Sequence, residues 1–294
     1  MYGWSTGTIS TSDSWASITY GADKFVTVAN ISGNTSYSSD GITWKQGGGM
    51  PFSWYANAWQ AVTYGGGKFV AIGWAYGGAV SIDGIHWNRS SLPYQKYWEG
   101  IAYGAPYFVA AGSGYSSTYG FPYDNQAVAI TPDPHDWGSS VMDRAGVWTD
   151  IAYGNGSFVA ITSNSAISSV STSSGRSWTS GNNMPIAQNW TALGFGGGKF
   201  VAVANNSNTA AYSTNGVTWL SATLPATQSW TSIAYGNNQF VAVAKNSSTA
   251  AVSNDGVTWV ANTMPASQAW TSITYGLNRF VVVAGNTRVT AVLT

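Results

Sequence analysis

A single motif recurs along the chain and restricts its fold more than any other feature. The motif is W-x-x-[IVL]-x-[YF]-G, and its first residue is Trp15, Trp59, Trp98, Trp148, Trp190, Trp230 and Trp270. Successive copies, numbered here 1 to 7 in chain order, begin 39 to 50 residues apart. Because the repeat fills the 294-residue chain from end to end, it favours one repeat domain over two unrelated domains.

Each copy contains four short runs that alternate or are rich in β-branched and aromatic residues. In copy 6 these runs are 230–235, 239–244, 249–253 and 257–261, and each is bounded by Gly, Asn or Asp. The third and fourth runs are joined by Asn254-Asp255-Gly256, a favoured hairpin sequence. We therefore predict four antiparallel strands per copy, named A to D, and almost no helix. Four-stranded units at this period are typical of β-propeller blades.

A second tryptophan lies on the predicted strand D and indicates how the ring closes. It is Trp44, Trp87, Trp137, Trp178, Trp219 and Trp259, and copy 7 has none because the sequence stops after strand C. Trp4 precedes Trp15 by the same 11 residues that separate Trp219 from Trp230. The sequence thus predicts an all-β, seven-bladed propeller with four antiparallel strands per blade. It forms a single domain over 1–294, whose seventh blade combines 270–294 with 1–5. The two termini should then lie within roughly 10 Å of each other.

Composition excludes several classes of function. Only 7% of residues are charged, with 11 basic and 11 acidic side chains, so nothing draws the chain toward nucleic acid or anionic lipid. The absence of cysteine excludes disulfides, thiolate metal sites and a cysteine nucleophile. The N-terminal residues have no basic region followed by an apolar one, and no apolar run approaches ~18 residues. We expect neither a Sec signal peptide nor membrane insertion.

The predicted C–D turns resemble a known motif. The segments 38–44 (SSDGITW), 81–87 (SIDGIHW) and 253–259 (SNDGVTW) resemble the Asp box of sialidases and other BNR-type propellers, with one residue fewer between Asp and Gly. The resemblance implies a structural turn remote from any active site, in which Asp40, Asp83, Asp133 and Asp255 cap their own turns. The repeat also resembles those of bacteriophage virion proteins and bacterial surface proteins, which implies a structural or adhesive role.

Catalytic machinery is not expected. The sialidase resemblance implies three arginines that hold a carboxylate, a Tyr–Glu pair and an acid/base aspartate, and the arginines of this chain do not fall into that pattern. Glu99 is the only glutamate, and it follows Trp98 on a predicted A strand near the channel. Glu99 could act as a base, but a solvated channel residue is the simpler interpretation, and Asp150 follows Trp148 in a similar place. With two histidines and no cysteine, no metal and no cofactor are expected.

Interruptions of the repeat concentrate aromatic residues in copies 1 to 3. They fall in predicted B–C and D–A loops, which share one face of a propeller, and the later copies have plain Asn, Ser and Thr there. The candidate binding residues are Trp54, Tyr55, Trp74, Tyr76, Tyr94, Tyr97, Tyr115, Tyr119, Phe121 and Tyr123. Grouped aromatic residues on loops favour a contact surface, although loops that bury their own rings would explain them too.

Three functions compete at this stage. The first is a non-catalytic interaction module of a virion or an extracellular surface, with a protein partner on the aromatic face. The second is a lectin that binds surface glycans with the same aromatic residues. The third and weakest is a sialidase-like glycosidase.

Overall fold

The computed structural model describes residues 3–51, 58–114, 125–181 and 183–294, and these residues form strands joined by short turns without any helix. The part of the chain so described has no helix long and apolar enough to cross a membrane. In chain order the strands are β1 (Trp4–Gly21), β2 (Lys24–Ala29), β3 (Thr35–Ser38), β4 (Lys45–Gln46), β5 (Trp59–Gly65), β6 (Lys68–Ser81), β7 (Asn88–Gly104), β8 (Tyr107–Gly114), β9 (Ala127–Asp133), β10 (Asp136–Val141), β11 (Trp148–Gly154), β12 (Ser157–Thr162), β13 (Ser168–Ser171), β14 (Thr179–Ser180), β15 (Trp190–Gly196), β16 (Lys199–Ala204), β17 (Ser207–Ser213), β18 (Leu220–Gly236), β19 (Gln239–Ser253), β20 (Val260–Gly276) and β21 (Arg279–Leu293).

The seven motif copies all form the predicted A–B hairpin. In each copy the motif tryptophan pairs with a residue near the end of the next run, as Trp230 does with Ala244, and the register shifts directly after the tryptophan. Six of the seven hairpins end in two-residue turns whose residues have positive φ, such as Asn237 at 46° and Asn238 at 57°, whereas the turn of copy 3 is Ala105-Pro106 with a cis peptide bond. Asn tolerates this left-handed conformation, so the local sequence selects the turn.

Four of the connections between strand D and the next strand A differ from the sequence prediction. They were expected to be loops, but β1, β7, β18 and β20 each run without a break from the D position of one copy into the A position of the next. Their middle portions pair with the preceding B–C connection, as Gln268 does with Ser247 and Gln228 with Ser207. This additional ladder satisfies backbone groups that a loop would leave to water.

The hydrophobic core lies between neighbouring copies as well as within them. The cluster around Trp230 contains Val201 and Val203 of copy 5 together with Phe240 and Ala242 of copy 6. The motif tryptophans and the D-strand tryptophans that follow them are buried. The indole N–H of Trp230 donates to the carbonyl of Ser207 at 3.0 Å, so its polar end is also satisfied between copies.

One contact between copies recurs around the whole chain. The glycine that ends each A strand lies beneath the aromatic ring of the next copy, so closely that a Cβ atom there would overlap the ring. The pairs are Gly21–Tyr64, Gly65–Tyr103, Gly104–Tyr153, Gly154–Phe195, Gly196–Tyr235, Gly236–Tyr275 and Gly276–Tyr20. The last pair joins copy 7 to copy 1, so the series of contacts returns to its start.

The beginning of the chain pairs with its end. Trp4 and Ser5 pair with Leu293 and Val292 in antiparallel register, and the indole N–H of Trp4 donates to Asn262 Oδ1 at 2.9 Å. β1 therefore supplies both an additional outer strand beside β21 and the A strand of copy 1. This pairing satisfies the backbone of β21, which would otherwise be an exposed sheet edge.

The C–D turns that contain Asp share one hydrogen-bond pattern. In copy 6 the Asp255 carboxylate accepts the backbone N–H groups of Thr258 at 2.7 Å and Val257 at 2.8 Å, and these lower its pKa to about 2. Asp40 and Asp83 accept equivalent bonds, whereas Asp133 accepts a longer one, 3.3 Å, from the N–H of His135. These four carboxylates accept hydrogen bonds within their own turns, as predicted for them.

Replacement of Trp4 tests the importance of the terminal pairing. Trp4→Ala removes a half-buried ring and the bond to Asn262, so we expect a loss of about 2 kcal/mol and a Tm lower by about 4–8 °C. Thermal unfolding followed by circular dichroism measures it. Ile82→Ala, at an exposed turn, is the control; an equal Tm for both variants would contradict the role of Trp4.

A methyl group at the repeated glycine tests the contact between copies. Gly236→Ala forces the new methyl against the ring of Tyr275, so we expect a destabilisation of about 1–3 kcal/mol in urea unfolding. Gly3→Ala is the matched control, because no described residue beyond its chain neighbours lies within 4 Å of a Cβ there. Unchanged stability of the Gly236 variant would show that the Tyr275 ring can move aside at little energetic cost.

Candidate functional site

Four of the candidate binding residues form one surface, called here the aromatic patch: Trp74, Tyr76, Tyr94 and Tyr97. Trp74 on β6 pairs with Tyr97 on β7, and their rings meet edge to face with centroids 4.9 Å apart. Both segments were predicted to be loops, and both are β-structure. The ladder therefore places residues from two distant parts of the repeat side by side.

The backbone below the patch is fixed by the motif tryptophan of copy 3. The indole N–H of Trp98 donates to the carbonyl of Ala75 at 3.0 Å and to that of Tyr94 at 3.2 Å, which ties the two segments together. Ala75 has a φ of 58°, and the register shifts between Ala75 and Gly77. A bulge of this kind redirects neighbouring side chains, here on either side of Ala75.

The patch is partly open to solvent. Trp74, Tyr76 and Tyr94 are 38%, 42% and 40% exposed, while Tyr97 is half-buried against Trp74. The remaining candidates, Trp54, Tyr55, Tyr115, Tyr119, Phe121 and Tyr123, lie outside the described residues. Gly114 and Asn125, which flank 115–124, are joined by a hydrogen bond, and Gly114 pairs with Lys96 beside the patch.

A buried lysine that the sequence analysis did not single out lies next to the patch. Lys96 is only 2% exposed, its Nζ donates to the carbonyl of Ala127 at 2.9 Å, and it lies 5.6 Å from the centroid of the Trp98 ring. An ammonium over an aromatic face is attracted by the ring. The only sequence signal was its place within an aromatic segment, between Tyr94 and Trp98.

The A strands surround a central cavity of about 470 Å³. Its wall is rich in hydroxyl groups, and four threonines at the position after the motif tryptophan donate to the carbonyl of the next copy's tryptophan at 2.8–2.9 Å. These threonines are Thr149, Thr191, Thr231 and Thr271. The hydroxyls that line the cavity thus also join adjacent copies.

Two carboxyl groups line the same cavity on adjacent A strands. Burial raises the pKa of Glu99 to about 7, and burial likewise raises the pKa of Asp150 to about 7 although two backbone N–H groups donate to it. Those donors are Leu193 on Oδ2 and Ile151 on Oδ1, each at 2.8 Å. Near neutrality both groups can therefore hold or release a proton.

The position of Asp150 in the repeat explains its contacts. Serines occupy the equivalent position in copies 1, 6 and 7, and the Oγ atom of each accepts a backbone N–H of the next copy at 3.1–3.2 Å. Asp150 makes the same link from copy 4 to copy 5 through Leu193. It is thus a structural link as well as a titratable group.

Metal-binding groups are not brought together in the described ranges. No set of three or more His, Cys, Asp and Glu side chains there could hold a metal ion. His86 lies at an exposed turn, where its Nδ1 is 2.8 Å from Asp83 Oδ2. Among the described residues that line the cavity there is no arginine, lysine or histidine, so the two carboxyl groups have no basic side chain in the lining.

Comparison with solved structures identifies the fold. Neither a protein-family model nor a curated protein sequence matches the chain. Virginiamycin B lyase from Staphylococcus aureus is similar over 100% of this chain and 99% of its own, with a TM-score of 0.82 and 12% identity. YCF48 bound to a D1 peptide is similar over 99% of this chain and 96% of its own, with a TM-score of 0.74 and 15% identity.

These neighbours are β-propellers, and the similarity covers the whole chain. The prediction of an all-β propeller fold is therefore confirmed. A computationally designed protein, Ika8, has a TM-score of 0.67 at 12% identity over 99% of this chain and all of its own. At such identities the likeness establishes the fold alone.

The two cavity carboxyls make stability depend on pH. Their pKa values rise from the ordinary 4.5 and 3.8 to about 7, so between about pH 4 and 7 the folded chain binds protons that the unfolded chain does not. The free energy of unfolding should then fall as pH rises through this window, by about 3 kcal/mol per group. Glu99→Gln and Asp150→Asn should each reduce the fall.

Urea unfolding at the two ends of this pH window measures the effect. Asp136→Asn, which removes an exposed carboxylate on β10, is the control and should keep the full dependence. A wild-type protein whose stability is the same at both ends would show that the two carboxyls titrate as they do in water.

Proposed function

We propose that this chain is a non-catalytic interaction module that binds a protein partner through the aromatic patch. The scaffold of this proposal is a closed ring of seven four-stranded blades, the seventh formed by 270–294 together with 1–5. The proposal rests on one observation. The rings of Trp74 and Tyr97 are held edge to face on paired strands, and Trp74, Tyr76 and Tyr94 remain partly exposed to solvent.

Rigid aromatic residues are suited to partner binding. Trp and Tyr offer large apolar areas with a polar end and lose little conformational entropy, so they are frequent at interface hot spots. The ladder and the bonds from Trp98 already fix the backbone beneath the rings. A partner would therefore meet a preorganised surface, which lowers the cost of association.

Two of the structural neighbours support different uses of the same fold. YCF48 was solved with a D1 peptide, which gives a precedent for peptide binding by a propeller, and virginiamycin B lyase gives one for catalysis. For this chain we favour binding, because Asp150 is engaged by two backbone N–H groups and the sequence lacks a second glutamate to pair with Glu99. A virion or extracellular setting is part of this proposal and rests on the resemblance of the repeat.

Carbohydrate recognition is the second candidate. The exposed indole of Trp74 is held by Tyr97, and a fixed aromatic face of this kind can stack on the apolar face of a sugar ring. Under this alternative the same patch would bind surface glycans and would need no protein partner.

A binding experiment with matched variants tests the proposal. Proteins retained by the immobilised chain are identified, purified singly and titrated against the wild type and Trp74→Ala. We expect a loss of affinity of about tenfold or more for the variant, the effect of removing a hot-spot residue. Leu220→Ala, which removes an exposed apolar side chain from β18, away from the patch, should bind as the wild type does.

The alternatives are separated by two further measurements. Binding on a glycan array that is lost in Trp74→Ala would favour the lectin. Turnover of fluorogenic sialosides that is lost in Glu99→Gln would favour an enzyme. A purified partner whose affinity is the same for wild type and Trp74→Ala would overturn the assignment of the patch.

A further inference from the structure

Asparagine precedes glycine at two places in the sequence, Asn155-Gly156 and Asn215-Gly216. An asparagine in this context can deamidate because glycine has no side chain to hinder attack by its own amide nitrogen and adopts the required backbone conformations easily. The reaction needs that nitrogen to be free and the asparagine side chain to rotate toward it. The two sites differ in both respects.

Asn155 lies at the exposed A–B turn of copy 4. Its φ is 48° and that of Gly156 is 77°, and apart from its chain neighbours no described residue lies within 4 Å of the position that a Cβ of Gly156 would take. Among the described residues the amide nitrogen of Gly156 has no hydrogen-bond acceptor. The attacking atom is thus free and has space around it.

The side chain of Asn155 links two copies. Its Nδ2 donates to the carbonyl of Thr214 at 3.0 Å and to that of Gly198 at 3.3 Å, and both acceptors are in turns of copy 5. These bonds are exposed to water, so each contributes little net stability and opens readily. They slow the rotation of the side chain without preventing it.

Asn215 is held far more firmly, in the position that Asp40, Asp83 and Asp255 occupy in other copies. Its Oδ1 accepts the N–H groups of Val217 and Thr218, each at 2.9 Å. The amide nitrogen of Gly216 donates to Ser213 Oγ at 2.8 Å in a buried bond. Gly216 also packs so closely on Val159 that a Cβ would overlap it, which opposes the rearrangement into a five-membered ring.

We propose that Asn155 is a site of spontaneous deamidation in the folded chain and that Asn215 is protected. The Gly156 nitrogen attacks Asn155 Cγ, the Cγ–Nδ2 bond breaks, and Nδ2 leaves as ammonia with the proton of the Gly156 amide. Water then opens the succinimide to aspartate or isoaspartate. No reactant other than water is required.

The modification changes a contact between copies. Aspartate at position 155 can no longer donate to Thr214 and Gly198, and its charged oxygens face two carbonyl oxygens instead. Isoaspartate in addition lengthens the main chain within a two-residue turn. Either product releases the link between the turns of copies 4 and 5.

Peptide mapping by mass spectrometry tests the proposal. The folded protein is aged in mildly alkaline buffer, and the fraction of acid at each site is followed with time. We expect Asn155 to deamidate about tenfold faster than Asn215 or more, a difference of about 1.4 kcal/mol in barrier. In concentrated urea the two rates should become similar, because both sites then share the sequence Asn-Gly without the fold.

Two variants separate the chemistry from its consequence. Asn155→Gln should remove the modification, and Asn155→Asp should lower the Tm as the aged protein does. Equal rates at the two sites in the folded protein, faster conversion of Asn215, or a ratio that persists in urea would each overturn the proposal.

Discussion

The contact of a glycine with the aromatic ring of the next copy determines how the rest of this structure is arranged. It fixes how closely adjacent A strands approach, because no side chain fits between the Gly236 backbone and the ring of Tyr275. The distance between A strands in turn sets the width of the central cavity. The last of these contacts joins Gly276 to Tyr20, and the pairing of Trp4 with Leu293 joins the same two copies a second time.

Because equivalent contacts recur between the copies, the positions that differ from copy to copy stand out. Asp150 stands where three other copies have serine, and it keeps the serine's bond to the next strand while adding a charge. Glu99 stands where four copies have a threonine that donates to a tryptophan carbonyl. Glu99 lies in copy 3, two residues after Tyr97 of the aromatic patch, and Asp150 lies in copy 4. The glycine–ring contacts nevertheless run through these copies too, so the departures add titratable groups without interrupting that series of contacts.

Sequence reasoning succeeded where the repeat itself held the information. The tryptophan spacing predicted the seven hairpins, and the 11 residues between Trp4 and Trp15 predicted the pairing of the first residues with β21. It was wrong about the D–A connection that carries Tyr94 and Tyr97, which was predicted to be a loop because it interrupts the repeat and is instead part of β7. Pairing with a distant B–C segment made it a strand, and such pairing is not visible locally. The burial of Lys96 and the raised pKa of Asp150 depend on neighbours from other copies, so no single segment could reveal them.

The low charge of the chain bears on how the aromatic patch would work. With 11 basic and 11 acidic side chains, long-range electrostatic steering of a partner is weak. Association would then proceed at rates typical of neutral proteins, about 10⁵–10⁶ M⁻¹s⁻¹. Selectivity would come from shape complementarity and from slower dissociation of the matching partner. A surface that recognises by shape must be rigid before it binds. Trp98 provides that rigidity. Its indole N–H donates to the carbonyls of Ala75 and Tyr94, and its side chain is buried in the core between copies. Under the proposed function, recognition and folding would therefore depend on the same side chain, Trp98.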